Sequence, residues 1–141
     1  LLSAPARHTV QQAAGNGDDI IQQARGPPLR SNTREETAMA VTIFVVRATI
    51  TKDQEAAFNR WYDEEHVPQL LRYNGTASAR RYRKILGEDK FQYMAVYEFA
   101  SEDVFRRFQE SDHFQELVKE YNANFGTASE RERSAYVQIW P

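Results

Sequence analysis

The chain has 141 residues, 18 basic against 20 acidic side chains for a formal net charge of -2, and no cysteine. That length suits one domain with one core. The balanced charge gives nucleic acid or an anionic membrane no bulk attraction, and the lack of thiols excludes disulfides, thiolate metal sites and cysteine nucleophiles.

No apolar run approaches the ~20 residues that span a bilayer, and the longest, Val41 to Val46, has the length of a strand. A soluble, intracellular protein is expected, cytoplasmic and without membrane or nucleic-acid partners. Residues 1–38 are rich in Gln, Ala, Gly, Pro, Asn and Arg, hold no aromatic residue, and carry only scattered aliphatics such as Val10, Ile20, Ile21 and Leu29. Such a stretch buries too little apolar surface to offset its ordering entropy. It reads as an N-terminal extension, a leader or a tail, with a short helix possible at Asp18 to Ala24 and Met39 as a plausible start of the domain proper, residues 39–141.

Val41 to Ile50, VTIFVVRATI, is β-branched and apolar on both alternating faces, as in a central strand. Asp53 is a candidate N-cap for a helix in which Ala57, Phe58, Trp61 and Tyr62 recur at helical spacing. Pro68 removes an amide donor, which predicts that this helix stops near Glu65 and that a short further turn passes through Leu70 and Leu71. Asn74-Gly75 closes it. Ala77 to Leu86 reads as a second strand, Gly87 to Lys90 as a polar turn, and Phe91 to Phe99 as a third strand. Ser101-Glu102-Asp103 is a strong helix start, and the helix runs to about Asn124 with a break near Ser111-Asp112. Its buried stripe is Phe105, Phe108, Phe114, Leu117, Val118 and Tyr121. A last strand is expected from Ala135 to Trp140.

The order βαββαβ gives an α+β, ferredoxin-like sandwich with both helices on one face of a four-stranded antiparallel sheet. The other face should then alternate with polar residues. It reads partly apolar instead: Met94 and Val96, between Gln92 and Glu98, stand opposite the Phe91, Tyr93, Ala95, Tyr97 and Phe99 face, and Tyr136, Gln138 and Trp140 opposite Ala135, Val137 and Ile139. A second copy packed sheet to sheet, a homodimer closing an eight-stranded barrel, would cover that face. The plainer alternative is that these tyrosines are amphipathic surface residues.

The stretch Phe58-Asn59-Arg60-Trp61-Tyr62-Asp63-Glu64-Glu65-His66-Val67-Pro68, followed by Ser78-Ala79-Arg80-Arg81-Tyr82, resembles the dimeric α/β-barrel superfamily, in particular its EthD-like branch. The W-Y-x-x-x-H-x-P pattern is its most distinctive piece, and Thr76 departs from the family's usual apolar residue after the turn glycine. The resemblance implies the barrel fold over about Val41 to Pro141. Members include polyketide cyclases and dehydratases, lactone isomerases, cofactor-free monooxygenases, haem-degrading enzymes and many proteins of unassigned activity, so fold is implied more narrowly than function.

His66 is the leading candidate catalytic residue, an imidazole beside the apolar helix face that would titrate near neutral pH as an acid or base. Asp63, three residues earlier, is a candidate to orient it. The competing reading is a histidine capping the end of a helix. Arg81 and Arg83 share one face of the second strand, where a guanidinium can hold a carboxylate or enolate; solubilising charge on an edge strand is the alternative. Trp61, Tyr62, Tyr93, Tyr97, Tyr136 and Trp140 are candidates to bind a small apolar or aromatic ligand, or else plain core. His113 reads as a surface helix residue. No second histidine stands at a ligand-like spacing from His66, and there is no glycine-rich phosphate loop or serine elbow, so neither metal nor cofactor is expected. Three functions remain open. The first is a cofactor-independent cyclase, dehydratase or isomerase acting on an aromatic or polyketide-like molecule; the others are a non-catalytic ligand-binding or stress-associated barrel, and a monooxygenase.

Overall fold

Alternation of β-branched and aromatic residues builds the sheet. In the computed structural model, which describes residues 39–141, the strands are β1 (Thr42–Ala48), β2 (Thr76–Arg83), β3 (Tyr93–Phe99) and β4 (Arg131–Val137). They pair antiparallel throughout in the order β2-β3-β1-β4. The helical segments are α1 (Glu55–Trp61), a π-helical turn (Tyr62–His66), α2 (Val67–Leu71), α3 (Glu102–Gln109) and α4 (Asp112–Phe125). This is the expected α+β ferredoxin-like fold. The N-terminal extension and its candidate helix lie outside the described residues, and Ile139–Pro141 fall outside the compact unit that ends at Gln138.

All four strands differ in their bounds from the sequence reading. β3 begins at Tyr93 rather than Phe91, and β1 ends at Ala48 rather than Ile50, because the Gln92 side chain takes over the pairing. Its Oε1 accepts from Ile50 N at 2.9 Å and its Nε2 donates to Ile50 O at 3.1 Å. β2 ends at Arg83, and the loop that follows exposes Ile85 and Leu86 to solvent. β4 covers Arg131–Val137, not Ala135 to Trp140. An edge strand pairs through its backbone and tolerates charge, so Arg131-Glu132-Arg133 can form one without an apolar signature.

Helix capping follows the sequence more closely. Ser101 Oγ accepts from Val104 N and Ser111 Oγ from Phe114 N, both at 3.1 Å, which starts α3 and restarts the chain as α4. Asp53 does not cap: it lies inside a 3₁₀ turn, Lys52–Gln54, that follows Thr51. Both helical layers pack on the face of the sheet formed by Phe44, Val46 and Ala48 of β1 and Ala95, Tyr97 and Phe99 of β3. The core is largely aromatic, with ring centroids 5.4 Å apart for Phe44 and Phe105, 5.0 Å for Phe99 and Phe108, and 5.3 Å for Phe58 and Phe125. Phe125, the last residue of α4, belongs to this core although the sequence stripe stopped at Tyr121.

The opposite face of the sheet carries Ile43 and Val45 of β1 and Met94 and Val96 of β3 at its centre, by the register of the ladder. Tyr82 and Tyr136 stand at its edges, exposed. Gly75 closes the loop into β2 with φ +103°, and its carbonyl accepts from Ala100 N at 3.0 Å. A Cβ there would meet Val104 Cγ1 at 2.4 Å. Gly75→Ala should therefore lower stability by about 2 kcal/mol or more, since left-handed backbone alone costs ~1–2 kcal/mol for an ordinary residue. Adding Val104→Ala should recover part of that loss, read from chemical denaturation midpoints.

Candidate active site

The site begins with a proline. Within an α-helix the ring of Pro68 would collide with the carbonyl of Glu64, four residues back. The chain widens instead: Tyr62–His66 form a π turn, with Val67 N bonding to Tyr62 O, and the helix continues through Leu71. A single such turn relieves a misfit inside a helix without ending it. Pro68 thus does not terminate the helix as the sequence suggested. His66 accordingly caps no helix end.

The wide turn also decides which side chains share a face. Residues five apart now stack: the His66 ring lies 4.5 Å from Trp61 at an interplanar angle of 23°. Tyr62 meets it edge-on at 4.9 Å, and Tyr121 of α4 closes the box at 5.9 Å. His66 is 7% exposed, and its Nδ1 is buried with no hydrogen-bond partner. Burial first, then the nearby charges of Arg131 and Arg81, hold its pKa down at about 4. The sequence expectation of titration near neutrality fails for that reason. His66 is a neutral imidazole at physiological pH.

Asp63 does not orient this ring. It points outward and its Oδ1 pairs with Arg81 Nη1 at 2.9 Å. Arg81 Nη2 donates to Asn59 Oδ1 at 2.8 Å, and the guanidinium lies 4.5 Å above the Tyr62 ring. Arg81 faces the helices, on the side of β2 that pairs with Ala95, and its donors are engaged in tying β2 to the first helix. It therefore braces the aromatic box from outside and does not reach a space between two sheets.

Tyr97, on the central strand β3, is 1% exposed and its hydroxyl is buried without a partner; burial raises its pKa well above the usual phenol value. Tyr97, Tyr62 and His66 line one cavity of ≈ 20 Å³ between the helices and the sheet, walled also by Phe114, Leu117, Arg131 and Arg133. Trp61 supports the cavity by stacking on His66. Tyr93 sits further along the same face, its hydroxyl donating to Glu55 Oε2 at 2.9 Å and accepting from Asn59 Nδ2 at 3.1 Å. Tyr136 lies on the opposite face of the sheet and is 59% exposed, and Trp140 follows the end of β4. Neither of these two lines the cavity. His113 is partly buried, its Nε2 2.8 Å from Gln69 O, so it links α4 to α2 instead of standing free on the surface.

The cavity groups that sequence reading missed are Arg131 and Arg133; Tyr121, expected in the buried stripe, packs against His66 and Arg131. Tyr121 Oη is 2.6 Å from Ser129 Oγ, and the Arg131 guanidinium lies 3.7 Å over the Tyr121 ring. Chemically, the cavity offers a neutral base with a free lone pair or N–H, phenols that stay protonated, and cationic groups on one wall. Among the described residues, no three His, Asp or Glu side chains are grouped to hold a metal ion, and no helix is long and apolar enough to cross a membrane.

Residues 41–136 match the family described as a domain of unknown function, DUF4286. The chain belongs to that family. No curated protein matches it in sequence. Among solved structures, this DUF4286 chain is similar to an EthD family protein of Bacillus halodurans at 17% identity and a TM-score of 0.52, covering 68% of this chain and 97% of the other. It is similar to HapK of Hahella chejuensis at 17% identity and TM-score 0.55, over 70% and 92% of the two chains. A third likeness is to SnoaB of Streptomyces nogalater, a cofactor-independent oxygenase, at 18% identity and TM-score 0.51, over 72% and 96%. These likenesses show the ferredoxin-like fold that the W-Y-x-x-x-H-x-P stretch implied.

A buried neutral histidine makes stability depend on pH with a definite sign. The unfolded chain binds a proton at His66 below about pH 6.5 and the folded chain only below about pH 4. This contribution to stability is complete above about pH 6.5 and is lost progressively as pH falls to about 4, a loss of about 3 kcal/mol at ~1.4 kcal/mol per unit. His66→Phe should flatten that segment of the stability curve, measured by urea unfolding across the range.

Proposed function

We propose that this DUF4286 protein is a cofactor-independent enzyme that moves a proton on a small aromatic or polyketide-like molecule, in a cyclisation, dehydration or isomerisation. The observation that carries the reading is the pairing, around one cavity, of two buried polar atoms without partners: His66 Nδ1 and the Tyr97 hydroxyl. An unpaired buried polar group costs about 1–3 kcal/mol, and such a cost is most readily retained where a ligand supplies the missing partner.

In this reading Nδ1 accepts a proton from an acidic C–H or phenol of the substrate while Tyr97 O–H donates to the oxygen that gathers the negative charge. The imidazolium so formed is a strong acid in its dry setting and returns the proton to the product carbon or leaving oxygen. Charge and atoms balance without a redox partner. Removal of a proton to give an electron-rich anion is equally the first demand on an oxygenase that lacks a cofactor, the activity named for SnoaB.

The cavity volume favours a second reading. A space of ≈ 20 Å³ accommodates about one water, whereas ligand pockets usually offer several hundred Å³. If the side chains around it never part, the protein is a non-catalytic barrel in which this cavity is simply a filled part of the core. His66→Gln separates the two. In an enzyme it folds as the parent does and loses about 10²–10⁴ in rate, measured as turnover or oxygen uptake with phenolic and polyketide substrates. Without catalysis, no substrate turns over and only stability changes.

The protein is further proposed to act as a homodimer in which two copies join through the Ile43, Val45, Met94 and Val96 face. Sedimentation should give twice the 16.4 kDa chain mass. Val96→Lys, central on that face, should return the monomer with the fold intact by circular dichroism.

A further inference from the structure

β4 brings two arginines to the inner face of the sheet. Arg131 pairs in register with Ala48 and Arg133 with Val46, so both stand on the side covered by the helices. Arg131 lies 3.7 Å over the Tyr121 ring and its Nη2 donates to Asn122 Oδ1 at 2.8 Å. Arg133 lies 5.6 Å from the ring of Phe114. Ion pairs among the described residues engage Arg47, Arg81, Lys84, Lys90 and Arg106. Neither Arg131 nor Arg133 has one.

Solubilising charge accounts for only part of this pair. Arg133 is exposed, as edge-strand charges that deter aggregation are, but Arg131 is half-buried, and both line the cavity beside His66 and Tyr97. Burial and then the neighbouring Arg133 lower the pKa of Arg131, the mark of two cations held together without a counter-ion. Arg81, expected from sequence to hold an anion, has its own carboxylate in Asp63. Arg131 and Arg133 have no carboxylate partner among the described residues. Two guanidiniums at alternate strand positions match a carboxylate, which accepts two parallel charge-assisted hydrogen bonds.

We propose that Arg131 and Arg133 form the anion-holding wall of the His66 cavity, and that its ligand is a small aromatic carboxylate with the ring directed towards His66 and Tyr97. This names the ligand class of the site proposed above and rests on that reading. An aromatic ring exceeds the ≈ 20 Å³ present, so binding displaces a wall residue, and the half-buried Phe114 beside Arg133 is the one that moves. The bound anion also offsets the cationic field on His66. Its imidazole then becomes a better base once the ligand is seated.

Benzoate and salicylate, each against its neutral amide, are the probes, titrated calorimetrically into the parent, Arg131→Gln, Arg133→Gln and Arg133→Lys. The acids should bind the parent at least tenfold more tightly than the amides. Each Gln variant should weaken the acids by about 10–100-fold, the worth of a charged hydrogen bond, and leave the amides unchanged, with Arg133→Lys between. Equal binding of acid and amide, equal binding by parent and variants, or no binding of either acid to the parent would overturn the proposal. Should a Gln variant not fold, the His66 titration of the parent followed by NMR supplies the answer: saturating salicylate should move it upward from about 4, and an unmoved titration refutes the placement. Arginine-dependent acid binding without turnover of any substrate would sink the enzyme reading alone. Turnover of neutral phenols unaffected by both arginine variants would sink the anion wall alone.

Discussion

One proline shapes the candidate site. Because Pro68 has no N–H and its ring needs the space of a carbonyl four residues earlier, the preceding turn widens into the π turn of Tyr62–His66. The widening rotates His66 inward onto Trp61 and Tyr62 and leaves Asp63 outside, where it meets Arg81. A regular helix would have put Asp63 and His66 on neighbouring positions of one face. The imidazole therefore has aromatic walls and no carboxylate partner, and this is why it is neutral and why its Nδ1 is unpaired.

Positive charge is distributed around this aromatic box with two different purposes. Arg81 lies over the Tyr62 ring and bonds to Asp63 and Asn59, so its charge is neutralised locally and its geometry fixed. It acts as a brace between β2 and the first helix. Arg131 stacks on Tyr121 and has only an amide oxygen as a polar partner, so its field is spent on the cavity. Desolvation and these cations act in the same direction on His66. Either one alone would disfavour the imidazolium; together they hold the ring neutral.

Much of the fold was legible in the sequence because its signals are local and redundant. The β-branched run of β1, the Ser101 cap, the helix break at Ser111-Asp112 and the turn at Gly75 each point to one geometry and obtained it. The π turn was not legible, since a one-residue widening leaves the apolar spacing of Phe58, Trp61 and Tyr62 unchanged. β4 was misplaced because its pairing is through the backbone and the inner-face residues of its first half are Arg131 and Arg133, which pattern reading assigns to solvent. His66, Trp61, Tyr62 and Tyr97 were singled out by residue type and position and share one region of the structure; Asp63, Arg81, Tyr93, Tyr136 and Trp140 were singled out on the same grounds and do not line the cavity. The difference lies in long-range pairing. Arg81 could be assigned only once Asn59 and Asp63 were known to face it, and Arg131 only once Tyr121 was known to lie beneath it.

The small volume of the cavity and its chemistry are two sides of one constraint. A larger cavity in the resting protein would admit water, hydrate His66 and Tyr97, and remove the desolvation that sets their ionisation. Keeping the site small shelters both groups from bulk water but leaves them without protein partners, at a cost the aromatic packing of Phe44, Phe58, Phe108 and Phe125 must offset. Opening is then least costly where packing is weakest, at the start of α4, where the chain restarts at Ser111 and Phe114 is only partly buried. That point is adjacent to Arg133 through the Phe114 ring. The break between α3 and α4, which the sequence already showed at Ser111-Asp112, thus stands beside the cavity wall formed by Phe114 and Arg133.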